Sequence, residues 1–94
     1  MSLSVISQEI KKLRVMNMQS QEDFALALGV SRSAVRDWEA GRCAPRLSNM
    51  EKKLYDYAYS KPHGSGSITQ FKVIKEALVQ HKTDRVNARQ LRID

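Results

Sequence analysis

Four polar residues near the middle of the chain combine residue types and a spacing suited to reading nucleic acid. They are Arg32, Ser33, Arg36 and Asp37, which share the exposed face of one predicted helix. Arginine donates paired hydrogen bonds to guanine, serine donates or accepts, and aspartate accepts from the amino group of cytosine. In isolation such a face is more often a solvated helix surface, so its meaning depends on the elements that position it.

Other kinds of chemistry find little support in the sequence. Cys43 is the single cysteine, which excludes an internal disulfide, and His63 and His81 lie too far apart for zinc-ligand spacing. No GxGxxG motif, phosphate-binding loop, acid–base pair or nucleophile set is present. We therefore expect no catalysis, no metal site and no cofactor.

The overall charge predicts a polyanionic partner. The 94 residues carry 16 Lys and Arg against 10 Asp and Glu, a formal net charge of +6 with a pI near 9.8. Such a surplus suggests nucleic acid or an anionic membrane surface. No apolar run reaches the roughly 18 residues of a membrane span, and no signal-peptide pattern opens the chain. We expect a cytoplasmic, nucleoid-associated protein.

Composition divides the chain into two parts. Residues 61–67 are rich in Pro, Gly and Ser, which predicts a flexible linker. Residues 4–60 are then the candidate domain, and residues 68–94 are a basic C-terminal helix and tail.

Apolar residues recur at helical spacing across the candidate domain. The period predicts a first helix from about Ser4 to Met16. A fourth helix is predicted to open at a capping box formed by Ser48 and Glu51. Because no segment of this part alternates with a period of two, the predicted fold is all-α.

The predicted second and third helices are joined by a short turn. Ser20 is placed to cap the second helix, Gly29 to end it in the left-handed region, and Ser31 to cap the third. Ala25 faces the crossing of the two helices, and Val30 fills the gap between them. Two short helices joined in this way form a helix-turn-helix.

A longer motif surrounds this turn. Its residues are Gln21-x-x-x-Ala25-x-x-x-Gly29-Val30-Ser31, then Val35-x-x-Trp38-Glu39-x-Gly41-Arg42, then Pro45. Taken over about residues 5–59, the motif resembles the phage-repressor and Cro-like family, also called lambda-repressor-like or XRE helix-turn-helix proteins. The resemblance implies a four-to-five-helix bundle whose third helix, at about residues 31–40, lies in the DNA major groove. The predicted C-terminal helix is appended to this bundle.

The resemblance also implies which residues contact DNA. Base-reading positions fall on the polar face described above, at Arg32, Ser33 and Asp37, with Arg36 at a less regular contact position. The positions implied to lie on or beside the sugar-phosphate backbone are those of Gln21, Ser31, Arg42 and Arg46.

Two further positions follow from the same comparison. The resemblance implies a partly buried ion pair between Arg14 and Glu39 that ties the first helix to the third. Gln19 stands where family members usually carry an apolar residue, and we expect Met18 to supply that contact.

The C-terminal segment has an apolar seam but no functional motif. A capping box of Ser67 and Gln70 opens the predicted helix, and Phe71, Ile74 and Leu78 form a stripe that has to be buried. Folding back on the first part and meeting a second subunit are both open, and we favour the second subunit. The closing residues 85–93 are compatible with a short strand, a frayed helix or a basic arm.

The leading functional hypothesis is sequence-specific binding of double-stranded DNA by a small transcriptional regulator, most simply a repressor that occupies an operator. One module reads only about 3–5 base pairs, so a homodimer on a pseudo-palindrome is expected. The alternative is an antitoxin-like interaction module whose residues 68–94 bind a partner protein. An enzyme subunit is opposed by the missing catalytic sets.

Overall fold

The helical periodicity of the sequence is realised as five helices in the computed structural model. It describes the backbone of residues 3–60 and 64–93 and the side chains of residues 3–60 and 66–81. The helices are α1 (Leu3–Met16), α2 (Gln21–Leu28), α3 (Arg32–Glu39), α4 (Leu47–Ser60) and α5 (Gly64–Ile93). Within these ranges there is no strand, and the all-α prediction is confirmed.

The predicted caps of α2 and α3 are confirmed. Ser20 Oγ accepts from the Asp23 N–H at 3.1 Å while the Asp23 carboxylate accepts from the Ser20 N–H, which completes a capping box. Ser31 Oγ accepts from the Ala34 N–H, also at 3.1 Å. Gly29 ends α2 with φ +72°, in the left-handed region that glycine enters without strain. These contacts fix both ends of the connection between the two helices.

Apolar side chains from all five helices form one core. Its larger members are Ile6, Ile10, Leu13, Phe24, Leu28, Val35, Trp38, Met50, Leu54, Tyr57, Phe71, Ile74 and Leu78. Trp38 is 6% exposed, so it is a core residue and not a stacking platform for bases. The rings of Phe24 and Tyr57 meet edge to face with centroids 4.9 Å apart, which joins α2 to α4.

Helix α5 folds back on α1 and α4 of its own chain. Phe71, Ile74 and Leu78 are 5%, 0% and 3% exposed, and Lys75 Nζ lies 2.7 Å from Glu51 Oε1 on α4. The structure therefore differs from the expectation that this seam meets a second subunit. Because α5 begins only four positions after α4 ends, it stays close to α4 and its apolar stripe packs against the adjacent core.

The start of α5 also differs from expectation. The helix begins at Gly64, inside the segment 61–67 expected as a linker; residues 61–63 lie outside the described part of the chain. Ser67 is therefore an interior helical residue, fully buried, and its Oγ lies 3.1 Å from Asn17 Nδ2. A serine with the sequence signature of a cap instead anchors α5 to the end of α1.

Helix α4 likewise starts before its predicted cap. It begins at Leu47, one residue ahead of Ser48, and the Arg46 carbonyl accepts the first backbone hydrogen bonds of the helix. Arg46 therefore holds the cap position, and the predicted capping box of Ser48 and Glu51 lies two residues too late.

Beyond position 81 the structure describes the backbone alone. Helix α5 continues to Ile93, so residues 85–93 are helical, while the side chains of the basic tail lie outside the described part. Every described helix is too short or too polar to cross a lipid bilayer.

Candidate nucleic-acid interface

Helix α3 carries its candidate base-reading residues on one outward face. Arg32, Ser33 and Arg36 are exposed and Asp37 is partly exposed, while the opposite face of the helix is buried in the core. The backbone of α3 is thus fixed by packing, and these four side chains project from a rigid element.

The last residue of α3 is tied to α1 by a two-pronged ion pair. Arg14 Nε lies 2.7 Å from Glu39 Oε2, and Arg14 Nη2 lies 2.9 Å from Glu39 Oε1. The hydrogen bond to Glu39 raises the pKa of the Arg14 guanidinium above its ordinary value. Arg14 Nη1 also donates to the Gln19 carbonyl at 2.8 Å. One guanidinium therefore joins α1, the α1–α2 connection and α3.

Gln21 occupies the first position of α2 and faces the same carboxylate. Its Nε2 donates to Glu39 Oε1 at 3.3 Å, so the side chain is turned toward the end of α3. The first turn of α2 carries Glu22 and Asp23, whose carboxylates lie at the end of the helix where its dipole favours negative charge. The pairing of Gln21 with Glu39 was not predicted from the sequence.

The turn after α3 brings Arg42 into contact with the last turn of the helix. Gly41 has φ +75°, its N–H donates to the Trp38 carbonyl, and the Arg42 N–H donates to the Asp37 carbonyl at 3.0 Å. This pattern is a Schellman motif. Arg42 Nη1 also lies 3.1 Å from Asp37 Oδ1. Two residues expected to contact DNA separately are thus paired with each other.

The two remaining candidates lie at helix starts. Ser31 is exposed and uses its Oγ to cap α3. Arg46 is exposed directly before α4, next to the buried Pro45, and lines a surface cavity together with Leu3 and His81. Within residues 3–60 and 66–81, no group of three or more His, Cys, Asp and Glu side chains could hold a metal ion.

A polar contact beneath the interface was missed at the sequence level. Tyr57 donates its hydroxyl hydrogen to Gln19 Oε1, and burial raises the pKa of Tyr57 to about 12. The expectation for Met18 is wrong, because that side chain is 90% exposed and its residue has φ 57°. The only sequence signal for the contact between Tyr57 and Gln19 was the presence of a glutamine at position 19, where family members usually carry an apolar residue.

Part of the chain matches a known protein family. Residues 10–52 match a family model described as helix-turn-helix. All eight candidate contact residues and the Arg14–Glu39 pair lie within this segment, whereas α5 lies outside it. Comparison with curated proteins and with solved structures gave no match.

Proposed function

We propose that this protein recognises a specific double-stranded DNA sequence and represses transcription by occupying it, because residues 10–52 match the model of a lambda-repressor-like helix-turn-helix family whose members are DNA-binding regulators. The observation that carries the proposal is the exposed polar face of α3, on a helix whose other face is buried. A buried inner face keeps the helix rigid while its outer side chains remain free to reach a ligand.

Base recognition is assigned to α3 in the major groove, which is wide enough to admit an α-helix. Arg32 and Arg36 are four positions apart, so one turn of the helix separates two guanidinium groups on the same face. Each can donate a pair of hydrogen bonds to guanine. Ser33 has a shorter side chain and contacts a base or a phosphate according to how deeply the helix enters.

Contacts with the DNA backbone are assigned to residues that flank α3. Gln21 lies beside the end of α3, and Ser31 lies at its start, so they bracket the helix. Arg42 and Arg46 follow α3 in the loop that leads to α4 and add exposed positive charge. Such contacts fix register and orientation on the duplex and carry no sequence information directly.

A homodimer is part of the proposal, because one module reads only about 3–5 base pairs. The seam of α5 is buried in its own chain and is not available to a second copy. We assign the contact between copies to Tyr55 and Tyr59 of α4, which are 45% and 68% exposed and whose rings stack with centroids 6.1 Å apart. In the antitoxin-like alternative, the basic residues of segment 68–94 bind an acidic partner protein. The apolar face of residues 68–81 is already covered, so such a partner would have to bind the charged side of the segment.

Selection of bound duplexes from a random DNA pool by the full chain tests the proposal. We expect one enriched motif with two inverted half-sites, about one helical turn of 10 base pairs apart between their centres. A single unrepeated half-site would contradict the dimer and leave DNA recognition intact. If the protein binds DNA in a salt-dependent way but no sequence motif is enriched, the binding is non-specific and sequence-specific recognition is contradicted.

A further inference from the structure

Asp37 and Arg42 are attached to each other by both backbone and side chain. The Arg42 N–H donates to the Asp37 carbonyl at 3.0 Å, and Arg42 Nη1 lies 3.1 Å from Asp37 Oδ1. The positive φ of Gly41 produces this return of the chain. The place of the Arg42 guanidinium is therefore set by one residue in the last turn of α3.

The two partners are not equally exposed. The side chain of Arg42 is 68% exposed and that of Asp37 is 35% exposed, so the guanidinium is the outer member of the pair. A guanidinium has five N–H donors, and the bond to Asp37 uses one of them. The remaining donors of Arg42 stay available to a phosphate while the carboxylate holds the group in place.

The charge of Asp37 argues against a direct contact with DNA. A carboxylate in the last turn of a helix opposes the helix dipole, and near a duplex it also repels phosphates. A cation bound to that carboxylate offsets both effects. In return, an arginine held in one place loses less side-chain freedom when it binds.

We infer that Asp37 is a positioning residue, which holds the Arg42 guanidinium at the end of α3 for a DNA phosphate and does not itself read a base. The inference rests on the proposed function, because it assumes that α3 and the loop after it face DNA. It changes the role that the resemblance implied for Asp37.

A double-mutant cycle on the full chain tests the inference. Binding of the selected duplex is measured for wild type, Asp37→Ala, Arg42→Ala and the double variant. We expect Arg42→Ala to weaken binding about two- to fivefold more when Asp37 is present than when position 37 is alanine, a range set by what an exposed ion pair contributes. Asp37→Asn retains an acceptor oxygen and should retain part of this coupling.

The sign of the coupling distinguishes this role from simple charge neutralisation. If Asp37 only cancelled the charge of Arg42, removal of the acid would free the cation, and Arg42→Ala would then cost more affinity in the Asp37→Ala background. Coupling of that sign, or an absence of coupling, overturns the inference.

Base preference provides a second readout, which separates a positioning role of Asp37 from a base-reading one. Selection from the random pool with Asp37→Ala should return the wild-type motif, whereas a base-reading Asp37 would leave one position per half-site relaxed and overturn the inference. Arg32→Ala in the same assay shows that such relaxation is detectable. A wild-type chain that selects no duplex overturns the proposed function itself, before any variant is compared.

Discussion

Tyr57 of α4 donates its hydroxyl hydrogen to Gln19 Oε1, in the connection between α1 and α2. The backbone carbonyl of the same glutamine accepts from Arg14, which in turn binds Glu39 at the end of α3. A chain of hydrogen bonds therefore runs from the buried face of α4 to the helix assigned to base recognition. Only the bond from Tyr57 requires the glutamine side chain, because any residue at position 19 offers its backbone carbonyl to Arg14.

The buried hydroxyl of Tyr57 makes stability depend on alkaline pH. Burial raises the pKa of Tyr57 to about 12 in the folded chain, whereas an exposed tyrosine has a pKa of about 10, so the unfolded chain releases the proton first. The contribution is fully present below pH 10 and is lost as the pH rises toward 12, and the loss is at most about 2–3 kcal/mol because solvent screening reduces it. Urea unfolding at pH 9 and pH 11.5 should show a smaller decline for Tyr57→Phe than for wild type.

The control for this comparison is Ser48→Ala, which removes an exposed hydroxyl from the same helix and lies outside the assigned contact between copies. Its decline between the two pH values should equal that of wild type. An unchanged decline in Tyr57→Phe would show that the buried hydroxyl is not responsible.

Glu39→Ala is expected to reduce stability by about 3–5 kcal/mol, because the change leaves the partly buried Arg14 guanidinium without its carboxylate. Gln21 loses an acceptor as well. Chemical denaturation measures the loss, with Glu76→Ala as a control that removes an exposed acid from α5. Equal denaturation midpoints for Glu39→Ala and Glu76→Ala would mean that the Arg14–Glu39 ion pair contributes nothing to stability.

Arg32→Ala is expected to weaken specific binding by about 1–3 kcal/mol and to relax the preferred base at one position per half-site, because Arg32 opens the exposed face of α3. Lys53→Ala removes the same charge from α4, beside the C-terminal end of α2, and should leave the preference unchanged. Selected sequences that are identical for wild type and Arg32→Ala would remove Arg32 from the reading set.

Gly41→Ala should cost about 1–2 kcal/mol of stability, since φ is +75° there and an L side chain is strained in that region. Nothing within 4 Å obstructs an added Cβ, so the cost is conformational and not steric. Gly41→Asn should recover part of the loss, because asparagine tolerates the left-handed region better than alanine. Thermal unfolding of the three proteins decides the matter, and an alanine variant as stable as wild type would contradict the assignment.

Tyr59→Ser is expected to produce a monomer with reduced affinity for a duplex that carries two half-sites, because it removes the more exposed ring of the Tyr55–Tyr59 stack. Sedimentation of the free protein measures the oligomeric state without DNA. Val15→Ser, on exposed α1 surface, is the control. A Tyr59→Ser variant that still sediments as a dimer would place the contact elsewhere.

Sequence patterns were informative where the partners are close along the chain. The capping box of Ser20 and Asp23 and the end of α2 at Gly29 are each recognisable within a few residues, and their geometry follows from local rules. The same local rules misassigned Ser67, because its cap signature is local but its buried contact with Asn17 lies 50 positions away. The docking of α5 depends on such distant pairings, and an apolar stripe alone does not reveal what covers it.

In the candidate site, too, the features set by local sequence were predictable and those set by distant partners were not. Exposure of Arg32 and Arg36 follows from helical period, whereas the attachment of Arg42 to Asp37 depends on where α3 ends. The side-chain assignment of Gln21 was incomplete because its partner, Glu39, belongs to another helix.

The pairing of α1 with α5 has a consequence for synthesis of the chain. Asn17 contacts Ser67 across 50 positions, and Gln70 Nε2 donates to the Glu9 carbonyl across 61. Helix α1 is synthesised early, but α5, which packs against part of its apolar face, is synthesised after α2, α3 and α4. Since domains fold as units and residues are added at about 5–20 per second, the helix-turn-helix emerges from the ribosome several seconds before its core can close. During that interval the nascent α3 is present without the complete scaffold that holds it.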